Sequence, residues 1–190
     1  MRVEIVGSDN LPSTPPYLLV TNHLSALDLP VIVYAFPHPI RPFAAKEHQS
    51  NFLFAPILKG AKAIWVNRGE VDRRALREAL AVLERGEALG VAPEGTRSAE
   101  SHALQPARPG VAYLATRADV PIVPVGIAGT EKVKENLLRL RRTSVRIAVG
   151  EAFRLPGTGR VRTNELREYT DLIMHRLAEL LPAAYRGVYG

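Results

Sequence analysis

Residues 17–28 read Tyr17-Leu18-Leu19-Val20-Thr21-Asn22-His23-Leu24-Ser25-Ala26-Leu27-Asp28, and their reading decides the fold. The bulky apolar and β-branched run that opens after Pro15-Pro16 predicts a strand over Tyr17–Thr21 with no polar face, as expected of a strand covered on both sides. Polar Asn22, His23 and Ser25 then turn the chain, and a helical pattern over Ser25–Phe36 runs until Pro37 and Pro39 stop it. Outward from this unit the same alternation recurs. Strands are expected at Arg2–Val6, Arg41–Ala45, Ala63–Val66, Ala88–Ala92, Ile122–Ile127 and Val145–Val149. Helices are expected at Asp72–Glu84, at Pro109–Arg117, and from Thr163 as N-cap to the stop at Pro182. The clearest is Asp72–Glu84, where Ala75, Leu76, Ala79, Leu80 and Leu83 fall on one face. Asn51–Leu58 is apolar but interrupted by proline. This order predicts an α/β fold: one domain over 1–190 with a mostly parallel central sheet flanked by helices, a motif-bearing core at about 17–130 and a basic part at 132–190.

Composition limits the function. The 190 residues are 46% hydrophobic and contain no Cys, which excludes a disordered chain, a disulfide framework, a Cys nucleophile, a zinc ribbon and an iron–sulfur cluster. No stretch approaches the roughly 18–20 apolar residues of a membrane span. The nearest, Leu29 to Ile40, contains Pro30, Pro37 and Pro39. The first 15 residues hold Glu4 and Asp9 and no apolar signal core, so a soluble or surface-bound protein is expected. The net charge of +6 is uneven: residues 1–131 carry 13 basic and 13 acidic side chains, residues 132–190 carry 12 and 6. Lys132, Lys134, Arg139, Arg141 and Arg142 concentrate it. Such a face suits anionic lipid or an acidic carrier protein, or is simply solvated. Nucleic acid is not expected as a partner, because no basic–aromatic repeat or nucleic-acid-binding signature is present.

Four constellations carry chemistry. His23 and Asp28 are five positions apart, about 140° on a regular helix, so they meet only if His23 lies in the turn and Asp28 in the first helical turn. The carboxylate then orients one ring nitrogen and leaves the other as a base; the alternative is a helix-start Asp beside a satisfied His. Ser25 is expected to bond backbone rather than attack, since no nucleophile elbow surrounds it. Pro93-Glu94-Gly95-Thr96-Arg97-Ser98 turns sharply after the strand Ala88–Ala92 and offers amides, a hydroxyl and a guanidinium to a phosphate; alternatively Glu94 pairs with Arg97. Trp65-Val66-Asn67-Arg68-Gly69 ends a strand on a second cation. Val120-Pro121-Ile122-Val123-Pro124-Val125 implies an interrupted or edge-like strand, or packing alone. His38, His48, His102 and His175 have no partner at metal-ligand spacing, so no metal site is expected.

In this order the four blocks resemble the glycerolipid acyltransferase family, whose best-known members are the 1-acylglycerol-3-phosphate acyltransferases. His23 and Asp28 match its His-x4-Asp block, with Asn22 and Ser25 supporting. Arg68 matches the end of its second block, Pro93 to Arg97 its Pro-Glu-Gly-Thr-Arg, and Val120 to Pro124 its fourth. The resemblance spans Tyr17 to Thr130. Lys62 stands where the family has a Gly, Ala92 where it often has an aromatic, and Arg108-Pro109-Gly110 where it has Lys-x-Gly.

The resemblance implies a glycerol-3-phosphate acyltransferase-like fold and transfer of an acyl group from acyl-CoA or acyl-carrier protein to lysophosphatidic acid. His23 would act as base and Asp28 as its orienter, while Arg68, Glu94, Gly95, Thr96 and Arg97 would bind the phosphate. No cofactor beyond the thioester co-substrate is implied. The implied place is the cytoplasm, peripheral on the inner face of the cell membrane. Other acceptors (glycerol 3-phosphate, another lysophospholipid, an amino lipid), a thioesterase, or a non-catalytic module that binds anionic lipid are the alternatives. Phe52, Leu53, Phe54, Ile57 and Leu58, between Lys46 and Lys59, are either core or a membrane-dipping cluster that acts with Arg139, Arg141 and Arg142.

Overall fold

A computed structural model describes all residues except Leu53, Arg68, Glu70, Val71, Ala99 and Glu100. At its centre is β2 (Leu18–Thr21), every residue of which is buried. It pairs in parallel with β5 (Ala88–Val91) on one side, Leu18 opposite Leu89, and with β6 (Ile122–Ala128) on the other, Leu18 opposite Ile122. The sheet continues from β5 through β3 (Ile40–Ala45) to β4 (Ile64–Val66), all parallel. Beyond β6 the direction reverses: β7 (Ser144–Val149) is antiparallel to β6, and β1 (Arg2–Val6) runs parallel to β7 at the edge. Seven strands therefore stand in the order β1-β7-β6-β2-β5-β3-β4, and the basic C-terminal part supplies β7 to the same sheet.

Alternation along β2 and β6 feeds two cores. Leu18, Val20, Leu89 and Ile122 pack on one face beneath α3 (Arg73–Glu84), α4 (Gly110–Ala118) and α6 (Thr163–Ala178). Tyr17, Leu19, Val123 and Ile127 pack on the other beneath α1 (Asp28–Ala35). Helix α2 (Ala55–Gly60) lies beyond β3.

Several elements depart from expectation. The helix expected from Ser25 starts at Asp28, because the Asp28 carboxylate accepts the Leu24 and Ser25 amides and holds 24–27 as a turn. The last helix begins after Arg162 rather than with Thr163 as cap; Glu165 Oε2 accepts the Arg162 N–H at 3.0 Å. The proline-bearing strand is β6, which is central and not an edge. Pairing with β7 begins at Val125, one residue past Pro124, and Gly150 N donates to the Pro124 carbonyl. Gly150 is required there, since a Cβ would stand 2.9 Å from Pro124 Cγ. The short helix α5 (Val133–Leu138) was not expected, as its leucines point to solvent and leave no core-facing stripe.

Candidate active site

The C-terminal ends of β2, β5 and β6 meet at one edge of the sheet, the place where parallel α/β sheets bind ligands. His23 leaves β2 there, and its Nδ1 lies 2.7 Å from Asp28 Oδ2. The two residues meet as the spacing required, His23 in the turn and Asp28 at the first position of α1. The same Oδ2 accepts Leu24 N at 2.8 Å and Ser25 N at 2.9 Å, and Oδ1 accepts the Thr130 hydroxyl at 2.6 Å. Each of these three other contacts comes from a donor, so Asp28 acts as an acceptor throughout. In the neutral ring, His23 Nδ1 is then the N–H and Nε2 the acceptor. The ring is partly exposed, whereas the carboxylate is buried. Ser25 Oγ accepts the Leu27 N–H at 3.1 Å, the backbone role expected of it.

The turn is also fastened to β6 and to the loop after β5. Asn22 exchanges two hydrogen bonds with Ile127 of β6, Nδ2 donating to the carbonyl at 2.9 Å and Oδ1 accepting the amide at 2.8 Å. The loop after β5 grips the His23 backbone: His23 N–H donates to Glu94 Oε1 at 3.1 Å, and Ser98 N–H donates to the His23 carbonyl at 2.9 Å. The first and third sequence blocks thus form one clamp.

Glu94 is 4% exposed. Its Oε2 accepts Ser98 Oγ at 2.6 Å and Gln105 N at 2.9 Å. Burial pushes its carboxyl above the usual carboxylate range, against the pull of these donors and of His23. Glu94 was expected beside the phosphate, or paired with Arg97; instead both its oxygens hold the loop together. A carboxylate so occupied, and of the same sign as a phosphate, does not present itself to one.

Gly95, Thr96 and Arg97 are exposed at the loop tip. Gly95 has φ +70°, the left-handed region that favours glycine. A Cβ there would also meet Arg108 Nε at 3.2 Å. Arg108 therefore lies across Gly95 and brings a second guanidinium to the loop. Arg68 lies outside the described residues.

His23, Asp28, Gly95 and Arg97 line a cavity of about 300 Å³, at the lower end of the size usual for ligand clefts. From that polar mouth it runs between α1 and α2 over β5 and β3, lined by Leu29, Ile32, Ile40, Phe43, Phe54 and Leu58. The cluster at 52–58 is thereby divided: Phe54, Ile57 and Leu58 line the cavity, while Phe52 is exposed, Ile57 is also partly open to solvent, and Leu53 lies outside the described residues. Among the described residues no group of three or more His, Cys, Asp or Glu is placed to hold a metal ion. No helix among them is long and apolar enough to cross a membrane.

Thr130 and Arg108 had not been singled out as site residues. Thr130 ends up beside Asp28 from 102 positions away. The available signal was its place just past the C-terminal end of β6, at the ligand-binding edge of the sheet.

The Pro-Glu-Gly-Thr-Arg loop is thus clamped to a His–Asp pair at the mouth of an apolar cavity, an arrangement that can move a proton beside a bound apolar chain. The family model described as Acyltransferase matches residues 2–128, and the chain belongs to that family. It is 24% identical to the 1-acyl-sn-glycerol-3-phosphate acyltransferase of Bacillus subtilis, over 94% of this chain and 87% of that one. It is 34% identical to a probable 1-acyl-sn-glycerol-3-phosphate acyltransferase of Mycoplasma pneumoniae, over 76% of this chain and 56% of that one. Against the Saccharomyces cerevisiae and mouse relatives of that name, it spans 44% and 45% of their length. Among solved structures, the 1-acyl-sn-glycerophosphate (LPA) acyltransferase PlsC of Thermotoga maritima superposes with a TM-score of 0.71 at 27% identity, over 94% of this chain and 72% of that one.

Proposed function

We propose that this chain transfers a fatty acyl group from a thioester, either acyl-CoA or acyl-carrier protein, to the free hydroxyl of lysophosphatidic acid, giving phosphatidic acid. The observation that carries this reading is the 2.7 Å His23–Asp28 pair at the polar mouth of an otherwise apolar cavity. Nε2 of His23 takes the acceptor's hydroxyl proton as that oxygen attacks the thioester carbonyl. The tetrahedral intermediate collapses with cleavage of the C–S bond, and the imidazolium returns the proton to the departing thiolate. Asp28 holds the ring's tautomer and stabilises the imidazolium. The acyl chain lies in the cavity. Arg97 and Arg108, with the Thr96 amide and hydroxyl, take the phosphate, and the family resemblance adds Arg68; the Gly95 N–H donates to the Ala92 carbonyl at 3.1 Å, so Gly95 contributes the turn and not a donor. Glu94 acts by holding the loop. The reaction as written uses no metal or prosthetic group, and it takes place at the inner face of the cell membrane, where the acceptor lies.

The test is thiol release from long-chain acyl-CoA and from acyl-carrier protein, with and without lysophosphatidate or glycerol 3-phosphate. Acceptor-dependent release that falls on the order of 10³-fold in His23→Ala is the expected result. Release without acceptor would make the chain a thioesterase, and dependence on glycerol 3-phosphate alone would reassign the acceptor. No turnover alongside tight binding to anionic vesicles would mean a lipid-binding module.

A further inference from the structure

The connection between β6 and β7 has a composition at odds with its exposure. Leu137, Leu138 and Leu140 are 70%, 79% and 94% exposed. Leu140 also has φ +52°, a conformation that Gly or Asn would adopt with less strain. Neither packing nor local backbone preference accounts for a leucine there. Over Lys132–Arg142 five basic residues stand against the single acid Glu135. Glu135 is tied to Arg139 at 3.0 Å, and Asn136 Nδ2 donates to Thr143 Oγ1 at 3.1 Å, which fixes the loop's return.

The place of this loop is as telling as its composition. It starts at Thr130, which bonds Asp28, and ends where β7 begins beside the C-terminal end of β6. It therefore stands on the same sheet edge as His23 and the cavity mouth. Across that mouth, beyond the end of β3, Phe52 is 82% exposed. Strands β6 and β3 are separated by β2 and β5, about 14 Å at roughly 4.8 Å per strand, so one flat surface can meet both. Soluble proteins do not ordinarily expose apolar groups grouped within a basic rim, and the pairing is that of an interfacial membrane contact.

We infer that this edge docks on an anionic lipid bilayer: Leu137, Leu138 and Leu140 enter the headgroup boundary, Arg139, Arg141 and Arg142 meet the lipid phosphates, and Phe52 makes a second contact that turns the cavity mouth to the membrane. The purpose of the contact rests on the lipid-acceptor reading, but the contact can be measured without turnover. Protruding leucines favour a bilayer over an acidic protein, which would meet the arginines without needing insertion.

The experiment is vesicle flotation, with equal parts phosphatidylglycerol and phosphatidylcholine against phosphatidylcholine alone. Wild type and His23→Ala should both float with the anionic vesicles only. Leu137→Ser/Leu138→Ser/Leu140→Ser should lower the partition at least about tenfold, and Arg139→Gln/Arg141→Gln/Arg142→Gln on the order of 100-fold. Both variants should keep the wild-type melting temperature and the wild-type rate on water-soluble short-chain substrates. Phe52→Ser should lower the partition by less. Flotation unchanged in both loop variants overturns the inference, as does loss in Phe52→Ser alone. Arginine variants that float normally but turn over acyl-carrier protein poorly overturn it too, and assign the loop to an acidic protein. Wild type that floats with anionic vesicles but turns over no thioester counts against the acyl-transfer reading alone.

Discussion

Asp28 receives four donors on two oxygens, and only one of them, His23, belongs to the pair that the sequence spacing suggests. Thr130 bonds the oxygen that His23 does not use, so its hydroxyl sets the plane of the carboxylate and hence the imidazole direction. Thr130→Val should lower kcat by about 10- to 100-fold, the worth of a hydrogen bond to a charged group. KM should change little, and Thr130→Ser should recover most of the rate. Steady-state kinetics on the three proteins would check this, and equal losses in Val and Ser would refute it.

Glu94 gives a pH-dependent test. Burial raises its folded-state pKa above the ordinary carboxylate value, so the native state holds the proton more tightly than the unfolded chain does. Its stabilising contribution is complete below the ordinary value and is lost as pH rises through the raised one. Glu94→Gln does not titrate and leaves one of three donors unmatched, at a cost of about 1–3 kcal/mol. Urea unfolding across pH should find wild type more stable, with a gap that narrows as pH rises through that window and then levels. A gap independent of pH would rule this out. At this scale the sequence exposed what is local: the His23–Asp28 pair, the bonding of Ser25 and the tightness of the Gly95 turn. It could not expose which side Glu94 faces, because Gln105 and the His23 amide reach it through folding, and nothing in Glu94-x-x-Arg97 excludes an ion pair.

Among the elements, strands buried on both faces read plainly, because β2 as far as Val20 and β6 throughout carry no polar side chain and no helix period competes. The reversal at β7 and β1 left no local trace, since Arg2 pairs with Ser144 across most of the chain. Pro124 misled for a related reason: a single missing donor need not end a ladder, and here the Gly150 N–H to the Pro124 carbonyl and the Ile122–Phe153 bridge carry the pairing past it. Helix α3 was legible because its start is chemical as well as periodic. Asp72 Oδ1 accepts Ala75 N–H at 3.0 Å, while Oδ2 accepts Asn67 N–H at 3.3 Å from the end of the second block. Asp72→Ala should cost about 1 kcal/mol, and Asp72→Ser should retain most of it, as read by urea unfolding near neutral pH. These hydrogen bonds, that from Ala75 foremost, hold the Asp72 carboxyl below its usual range. Its contribution is therefore present above the ordinary carboxylate value and fades as pH falls through the lowered one, so the two proteins should converge in acid.

At the scale of the whole molecule, the cavity exists because the sheet is unevenly covered. Helix α1 seals β2 and β6, but over β5 and β3 the cover passes to the short α2 and leaves a channel. Gly90 sits on its floor, opposite Leu19 of β2 and Pro42 of β3. A Cβ at Gly90 would stand 2.9 Å from Ile40 Cγ2, so even alanine must displace a side chain that lines the channel. If the channel holds the acyl chain, Gly90→Ala should shorten the longest thioester that is turned over efficiently, and rates on short chains should stay near wild type. Ile40→Ala in the same protein should give the length back by vacating the methyl that the new Cβ meets. The reading is the ratio of kcat/KM for long and short acyl donors across the wild type, the single variant and the double. Overpacking alone, which costs roughly 1–3 kcal/mol of stability, would lower the melting temperature and depress all donors alike. A fall in the long-to-short ratio that Ile40→Ala reverses would place the acyl chain over Gly90, and a uniform fall would remove it from there.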